Sequence, residues 1–227
     1  MSTSPSTTTV AVLGAGNYGT CLAQHLANIN HQVILWARSR EAANNINNTH
    51  QNLKYFKNFI LSGGIRATNK IDDVLKLQPY AIILAVPSQA LRELLGTLKG
   101  RITTDTLLVI ACKGIEVGTM KLPADIVGEV LGPDFQQKVV TLSGPSFAVE
   151  VMQKQPTAVS VGSKCTESAA SAQRLVHSPY FRAYTSTDPV GLEVAGALKN
   201  VIAIAAGGAR GLGFQSNTMA AIVTRGL

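Results

Sequence analysis

Three glycines, Gly14, Gly16 and Gly19, stand in the order Gly14-Ala-Gly16-Asn17-Tyr18-Gly19, a Gly-x-Gly-x-x-Gly spacing. In that spacing the first glycine permits a tight turn and the second lets backbone approach a pyrophosphate. The third lets the following helix pack close on the preceding strand. A pyrophosphate then rests on the free N–H groups and positive dipole end of that helix. Glycine-rich turns are common, so the flanks carry the weight. Val10–Leu13 is a short apolar run, and Thr20-Cys-Leu-Ala-Gln-His-Leu-Ala repeats its apolar residues at helical spacing. Strand, glycine turn and helix in this order predict a dinucleotide-binding crevice.

Other strand ends should face the same crevice. Gln32-Val-Ile-Leu-Trp36-Ala37 leads into Arg38, where an NAD-specific site usually carries an acid for the ribose 2′-hydroxyl. An arginine there can pair with a 2′-phosphate, so NADP is permitted beside NAD; a surface arginine is the alternative. Ala81–Val86 runs into Pro87 and Ser88, with Ser88 expected to cap the next helix. Leu107–Cys112 delivers Lys113 beside Gly114, a placement suited to an anionic or carbonyl-bearing ligand, although strand-end lysines are often only solvated. Leu142-Ser-Gly144-Pro-Ser146-Phe-Ala148 reads as strand, turn and helix start, with Gly144 open to close approach and Ser146 as N-cap. Lys199 lies in Ala195-Gly-Ala-Leu-Lys199-Asn200, a helix of small residues able to pack closely. Partial burial there would lower its pKa toward neutrality and suit it to proton transfer; snorkelling to solvent is the alternative. His25, His31, His50 and His177 show neither triad nor metal spacing and receive no role.

These residues need a scaffold, and the composition supplies one. The 227 residues are 46% hydrophobic and 15% charged, which indicates a packed globular chain. Aromatics make up only 5%, so the core rests on Val, Ile, Leu and Ala, as in a parallel sheet buried on both faces. The net charge of +7 is scattered, without a basic run or interleaved aromatics, which excludes a nucleic-acid interface and leaves a mild field for small anions. Cys21, Cys112 and Cys165 lack metal-ligand spacing and point to a reducing compartment, the cytoplasm. No apolar run is read as reaching the ~20 residues of a membrane span.

Strands are expected at Val10–Leu13, Val33–Trp36, Ile65–Thr68, Ala81–Val86, Leu107–Cys112, Lys138–Leu142, Ala158–Val161 and Phe181–Thr185, with helical patterns in most gaps. Such alternation predicts an α/β, doubly wound sheet. Residues 1–9 read as a loose Ser/Thr-rich tail and 10–187 as the dinucleotide-binding domain. Asp188-Pro189 then signals a long helix running to Gly207-Gly208, followed by another helical start at Ser216. The segment 188–227 is thus expected to begin a helical substrate domain too short for a core of its own.

Taken together, Gly14-Ala-Gly-Asn-Tyr-Gly-Thr, Leu35-Trp-Ala-Arg38, Ala85-Val-Pro-Ser88, Cys112-Lys-Gly-Ile-Glu116, Leu142-Ser-Gly-Pro-Ser-Phe-Ala148 and Glu193-Val-Ala-Gly-Ala-Leu-Lys-Asn-Val201 resemble the NAD(P)-dependent glycerol-3-phosphate dehydrogenases of bacterial type. The resemblance implies a Rossmann-type fold followed by the start of an all-helical domain. It implies reversible reduction of dihydroxyacetone phosphate to sn-glycerol 3-phosphate, which supplies the phospholipid backbone. It places cofactor contacts at Asn17, Tyr18, Arg38, Lys113 and Ala148, beside the motif glycines, and substrate contacts at Lys113, Gly144, Ser146 and Lys199. Lys199 matches the catalytic lysine that exchanges a proton with the C2 oxygen. No metal is implied, and a homodimer is compatible with it. Family members continue past the equivalent of Leu227 with residues that anchor the substrate phosphate, so these 227 residues alone are expected to lack full activity. Two rivals remain: a β-hydroxyacid or 6-phosphogluconate-type dehydrogenase, also with a catalytic lysine, and a non-catalytic nicotinamide-binding module.

Overall fold

A computed structural model describes residues 8–226. Eight strands form one sheet: β1 (Thr9–Leu13), β2 (Gln32–Trp36), β3 (Ile65–Thr68), β4 (Ala81–Leu84), β5 (Leu107–Ile110), β6 (Val139–Ser143), β7 (Thr157–Gly162) and β8 (Phe181–Ser186). Their order is β3-β2-β1-β4-β5-β6-β7-β8. All eight expected runs are strands. The expected tail falls mostly on residues outside those described, and Thr9 already pairs with Gln32 in β1–β2.

β1 to β6 pair in parallel, and their inner members β1, β4 and β5 are apolar on both faces. Val10, Val12, Ile83 and Val109 enter one core layer with Cys21, Leu22 and Leu26 of α1 (Asn17–Asn28). Ala11, Leu13, Ile82 and Leu108 enter the other, with Leu91 and Leu95 of α4 (Leu91–Leu98) and Ile126 of α5 (Pro123–Leu131). Helices α2 (Arg40–Thr49) and α3 (Ile71–Leu75) complete the first half. Because the order reverses at β1, the connections after β1 and β4 leave on opposite faces of the sheet, and the carboxyl edge between them is the usual ligand position in such sheets.

The doubly wound sheet is mixed toward one edge. β7 runs antiparallel to β6. The only helix between them, α6 (Ala148–Met152), is a single short turn, too little for the crossover that a parallel neighbour requires. The chain therefore returns beside β6, and α7 (Thr166–Val176) restores a parallel β7–β8 pair.

α8 (Pro189–Gly211) starts as its sequence signals: the Asp188 carboxylate accepts the Gly191 N–H at 2.8 Å, with Pro189 in the first turn. It continues to Gly211, past the glycine pair, and packs on α9 (Ser216–Gly226). By length and composition alone this 23-residue helix is long and apolar enough to cross a membrane, which corrects the reading that no such stretch exists. Its first two turns instead seat on the sheet through Pro189, Glu193 and Gly196.

Candidate dinucleotide and substrate site

The glycine turn performs three separate tasks. Gly14 closes β1 with φ +121°, and a Cβ there would lie 2.4 Å from the Ala85 carbonyl oxygen. At Gly19 a Cβ would meet the Gly14 carbonyl oxygen at 1.8 Å, so only glycine brings α1 this near the strand. A Cβ on Gly16 would meet nothing within 4 Å. That open space lies at the N-cap of α1, where no side chain caps the first N–H groups. An uncapped helix start beside an open backbone suits a pyrophosphate. Asn17, exposed, and Tyr18, half-buried, form the first turn of this helix.

Asn52 was not read from the sequence. It is 3% exposed, and its amide donates to the Ala15 carbonyl at 3.0 Å and to the Thr20 hydroxyl at 2.8 Å. It thereby pins the glycine turn from an irregular loop, where no spacing rule would point to it.

Arg38 is exposed just beyond β2, whose Trp36 carbonyl accepts the Gly14 N–H at 3.0 Å. Lys113 lies beyond β5, three strand spacings or about 14 Å across the sheet. A molecule lying across the β1 turn therefore has a cation on either side.

Around Lys113 the other expected residues gather. Its ammonium lies 5.7 Å from the Tyr18 ring centroid. The Tyr18 hydroxyl and Ser146 Oγ are 2.8 Å apart, and Ser146 also donates to the Gly144 carbonyl at 3.3 Å. Burial raises the Tyr18 pKa, so this hydroxyl keeps its proton. Gly144 holds φ +145°, and a Cβ there would press on Val159 at 2.9 Å. Ala148 is buried at the start of α6, which packs on α1. Lys199 reaches back from α8 to within 5.9 Å of the Phe147 ring centroid.

Three expectations change. Ser146 does not cap a helix: α6 begins at Ala148 with Phe147 in the cap position, and the Ser146 hydroxyl is committed to Tyr18 and Gly144. Ser88 does not cap either; it opens a short 3-10 turn after Pro87, and its side chain faces Gly114. Lys199 is exposed where partial burial was expected, because α8 leaves the sheet after Gly196. The desolvated lysine is Lys113, whose pKa is lowered by burial among the strand ends and then by the charge of Lys199.

The loop carrying Lys113 is tightly held. Arg92 of α4 makes a two-bond pair with Glu116, Nε to Oε1 at 2.9 Å and Nη2 to Oε2 at 2.8 Å, and Thr119 donates to the same carboxylate. These partners hold the Glu116 pKa down, to about 2. Gln89 donates to the Ile115 carbonyl at 2.8 Å and accepts the Val117 N–H at 2.9 Å. His25 and His31 do have a role, though not a chemical one: their ring nitrogens bond the Val176 and Leu175 carbonyls at 2.7 and 3.0 Å, tying α1 to the end of α7. Among the described residues no cluster of His, Cys, Asp or Glu could hold a metal ion.

Comparison with known proteins agrees with this arrangement. Residues 9–169 match the family model for the N-terminus of NAD-dependent glycerol-3-phosphate dehydrogenase, and residues 188–227 match that for its C-terminus. The chain is 43% identical over 220 residues to glycerol-3-phosphate dehydrogenase (NAD(P)+) of Chlorobium phaeobacteroides, covering 96% of this chain and 65% of that protein. It is 41% identical over 220 residues to the enzyme of the same name from Bacillus thuringiensis, covering 97% and 64%. The chain thus spans about 65% of the length of the curated relatives it matches. Among solved structures, glycerol-3-phosphate dehydrogenase from Coxiella burnetii superposes with a TM-score of 0.87 at 32% identity, over 97% of this chain and 66% of that one. With its glycine turn, its converging lysines and these relatives, the chain belongs to the NAD-dependent glycerol-3-phosphate dehydrogenase family.

Proposed function

We propose that this protein reduces dihydroxyacetone phosphate reversibly to sn-glycerol 3-phosphate with NAD(P)H, in the cytoplasm, feeding glycerophospholipid synthesis. Residues 10–187 then form the dinucleotide-binding domain, and 188–227 begin the helical substrate domain. The observation that carries this reading is the approach of two lysines on different elements. Lys199 is near enough to depress the pKa of Lys113. An anion between them relieves that repulsion, so the pair suits a phosphorylated substrate whose C2 oxygen becomes an alkoxide.

The open space at Gly16 and the uncapped start of α1 are what a dinucleotide pyrophosphate needs. Bound there, the nicotinamide supplies or accepts the hydride. Arg38 offers a partner for a 2′-phosphate, and Lys113 polarises the carbonyl and balances the negative charge that develops on it. Tyr18 and Ser146 hold the Gly144 turn in one shape beside the substrate. Lys199 carries the proton to and from the C2 oxygen, and its exposed position keeps it in exchange with solvent.

The test is an NAD(P)H oxidation assay with dihydroxyacetone phosphate against tartronate semialdehyde, on a version extended to the full length of the relatives and on its Lys199→Met variant. Turnover with the first substrate only, lost in the variant while cofactor affinity persists, supports the proposal. Preference for the second substrate would move the protein to the β-hydroxyacid class, and cofactor binding without turnover on either would make it a binding module.

A further inference from the structure

α8 carries Lys199, yet it rests on the sheet through little surface. Pro189, Glu193 and Gly196 are its buried residues near the sheet, and beyond them only Ala209 is buried. Gly196 allows contact with β6, since a Cβ there would lie 3.1 Å from Ser143 Oγ. Glu193 is the polar member of this seat and is 6% exposed. Its Oε1 accepts the Ala124 N–H at 3.0 Å, so it caps the start of α5 from another element. Its Oε2 and the Thr141 hydroxyl of β6 are both buried and unpartnered. Both line one small cavity, together with Cys112, Lys113 and Ser143. A carboxyl between α5, β6 and α8, beneath Lys113, does more than fill space.

We propose that Glu193 is a positioning residue: its carboxyl ties α8 to the start of α5 above β6, and so sets where Lys199 meets the crevice. Lys199 lies six residues further along the helix, a lever of about 9 Å. A tilt of about 6° at Glu193 moves the Lys199 backbone by about 1 Å on that lever, and misplacement of that size costs on the order of 10² in rate. Burial, then Asp125 of α5, pushes the Glu193 pKa up to about 7, against the Ala124 N–H, which lowers it. Cys112 and Lys113 at the end of β5 line one cavity beside it, and Asp125 and Lys164 line another. The tie therefore changes charge near neutrality, which gives the experiment a second handle. The effect on turnover, but not the placement itself, rests on reading Lys199 as the proton-handling residue.

The test follows Lys199 directly. Lysines are reductively methylated with 13C-formaldehyde, the Lys199 signal is assigned with Lys199→Arg, and its ring-current shift from Phe147 reports its position. Glu193→Ala should move this signal toward that of a free lysine. In a version extended to the relatives' full length it should also lower turnover about 100-fold while leaving the NAD(P)H Kd within about twofold. In native protein the signal should step near pH 7, and in Glu193→Gln, which keeps an oxygen for Ala124 but cannot ionise, the step should vanish. A Lys199 signal unmoved in Glu193→Ala overturns the proposal, whatever happens to turnover. Should that variant not fold, a step persisting in Glu193→Gln overturns it equally. A moved signal with unchanged turnover upholds the placement and counts instead against Lys199 as the proton-handling residue.

Discussion

Gly16→Ala separates what the glycine turn does for the fold from what it does for a ligand. A methyl at Gly16 meets no atom within 4 Å, and the residue sits at φ −77°, where alanine is comfortable. The folded protein should therefore lose little, about 1 kcal/mol or less, chiefly because alanine is a poorer N-cap than glycine. The same methyl occupies the space in which a pyrophosphate would approach the backbone. Losing or lengthening one charge-assisted bond from the helix N–H groups costs about 1.5–3 kcal/mol, or roughly 10- to 150-fold in Kd. Urea unfolding of the ligand-free protein and fluorescence titration with NADH and NADPH measure the two quantities side by side. Gly19→Ala is the contrasting case, because its methyl would lie 1.8 Å from the Gly14 carbonyl oxygen and must displace α1 or β1. It should damage stability itself. If Gly16→Ala binds both cofactors like native protein, the open space is not the pyrophosphate cradle and the reasoning fails.

Arg38→Asp should weaken NADPH by about 1.5–3 kcal/mol more than NADH; equal losses in titration would show that Arg38 does not meet the 2′-phosphate. In a version extended to the relatives' full length, Lys199→Met should cut turnover by ~10²–10⁴, and because its charge helps depress Lys113, the Lys113 titration seen by NMR should move up. His25 is 1% exposed, and burial depresses its pKa from 6.5 to about 4. Its stabilising contribution is thus complete above pH 6.5 and lost as pH falls toward 4, about 3 kcal/mol in all; urea midpoints that do not fall over this window would contradict it. Glu193 has the opposite sign, its contribution being complete below pH 4.5 and lost as pH rises through about 7. The stability of Glu193→Gln relative to native protein should rise between pH 5 and 8, and a flat difference would show that Glu193 ionises freely.

The inner strands were legible because each is a run of branched apolar residues bounded by turn residues. Val10–Leu13 and Ala81–Leu84 show this most plainly, buried on both faces. The reversal of β7 was not legible, since it follows from the shortness of α6 and not from any residue in the strand. Arg38, Lys113 and Gly144 stood out because polar or glycine residues at the ends of apolar segments are conspicuous, and Lys199 because it is the one lysine of an apolar helix. What those ends touch was hidden. Ser146 looks like a helix cap in its own neighbourhood, and only the fold brings Tyr18, 128 residues away, to its hydroxyl. Glu193 and Asn52 were passed over because a lone carboxylate on an apolar helix and an asparagine in a loop are normally solvated.

The two lysines are held by different means, and this bears on how the site works. Lys113 lies just beyond β5, and the loop after it is fixed by side chains of one helical segment: Gln89 takes the Ile115 carbonyl and the Val117 N–H, and Arg92 takes Glu116 between them. The loop just beyond it can shift only if a doubly bonded ion pair and two further hydrogen bonds yield. Lys199 is anchored by the first two turns of α8 alone, with an exposed side chain and a long lever. On the proposed function, the fixed lysine defines the place of the anion, and the more loosely held one approaches as charge develops there. Preorganised charge at the fixed position lowers the barrier without reorganisation at the moment of reaction. A proton carrier, by contrast, must exchange with solvent in every turnover. On this division, stiffening Lys113 further would change little, whereas whatever governs the seat of α8 governs the rate.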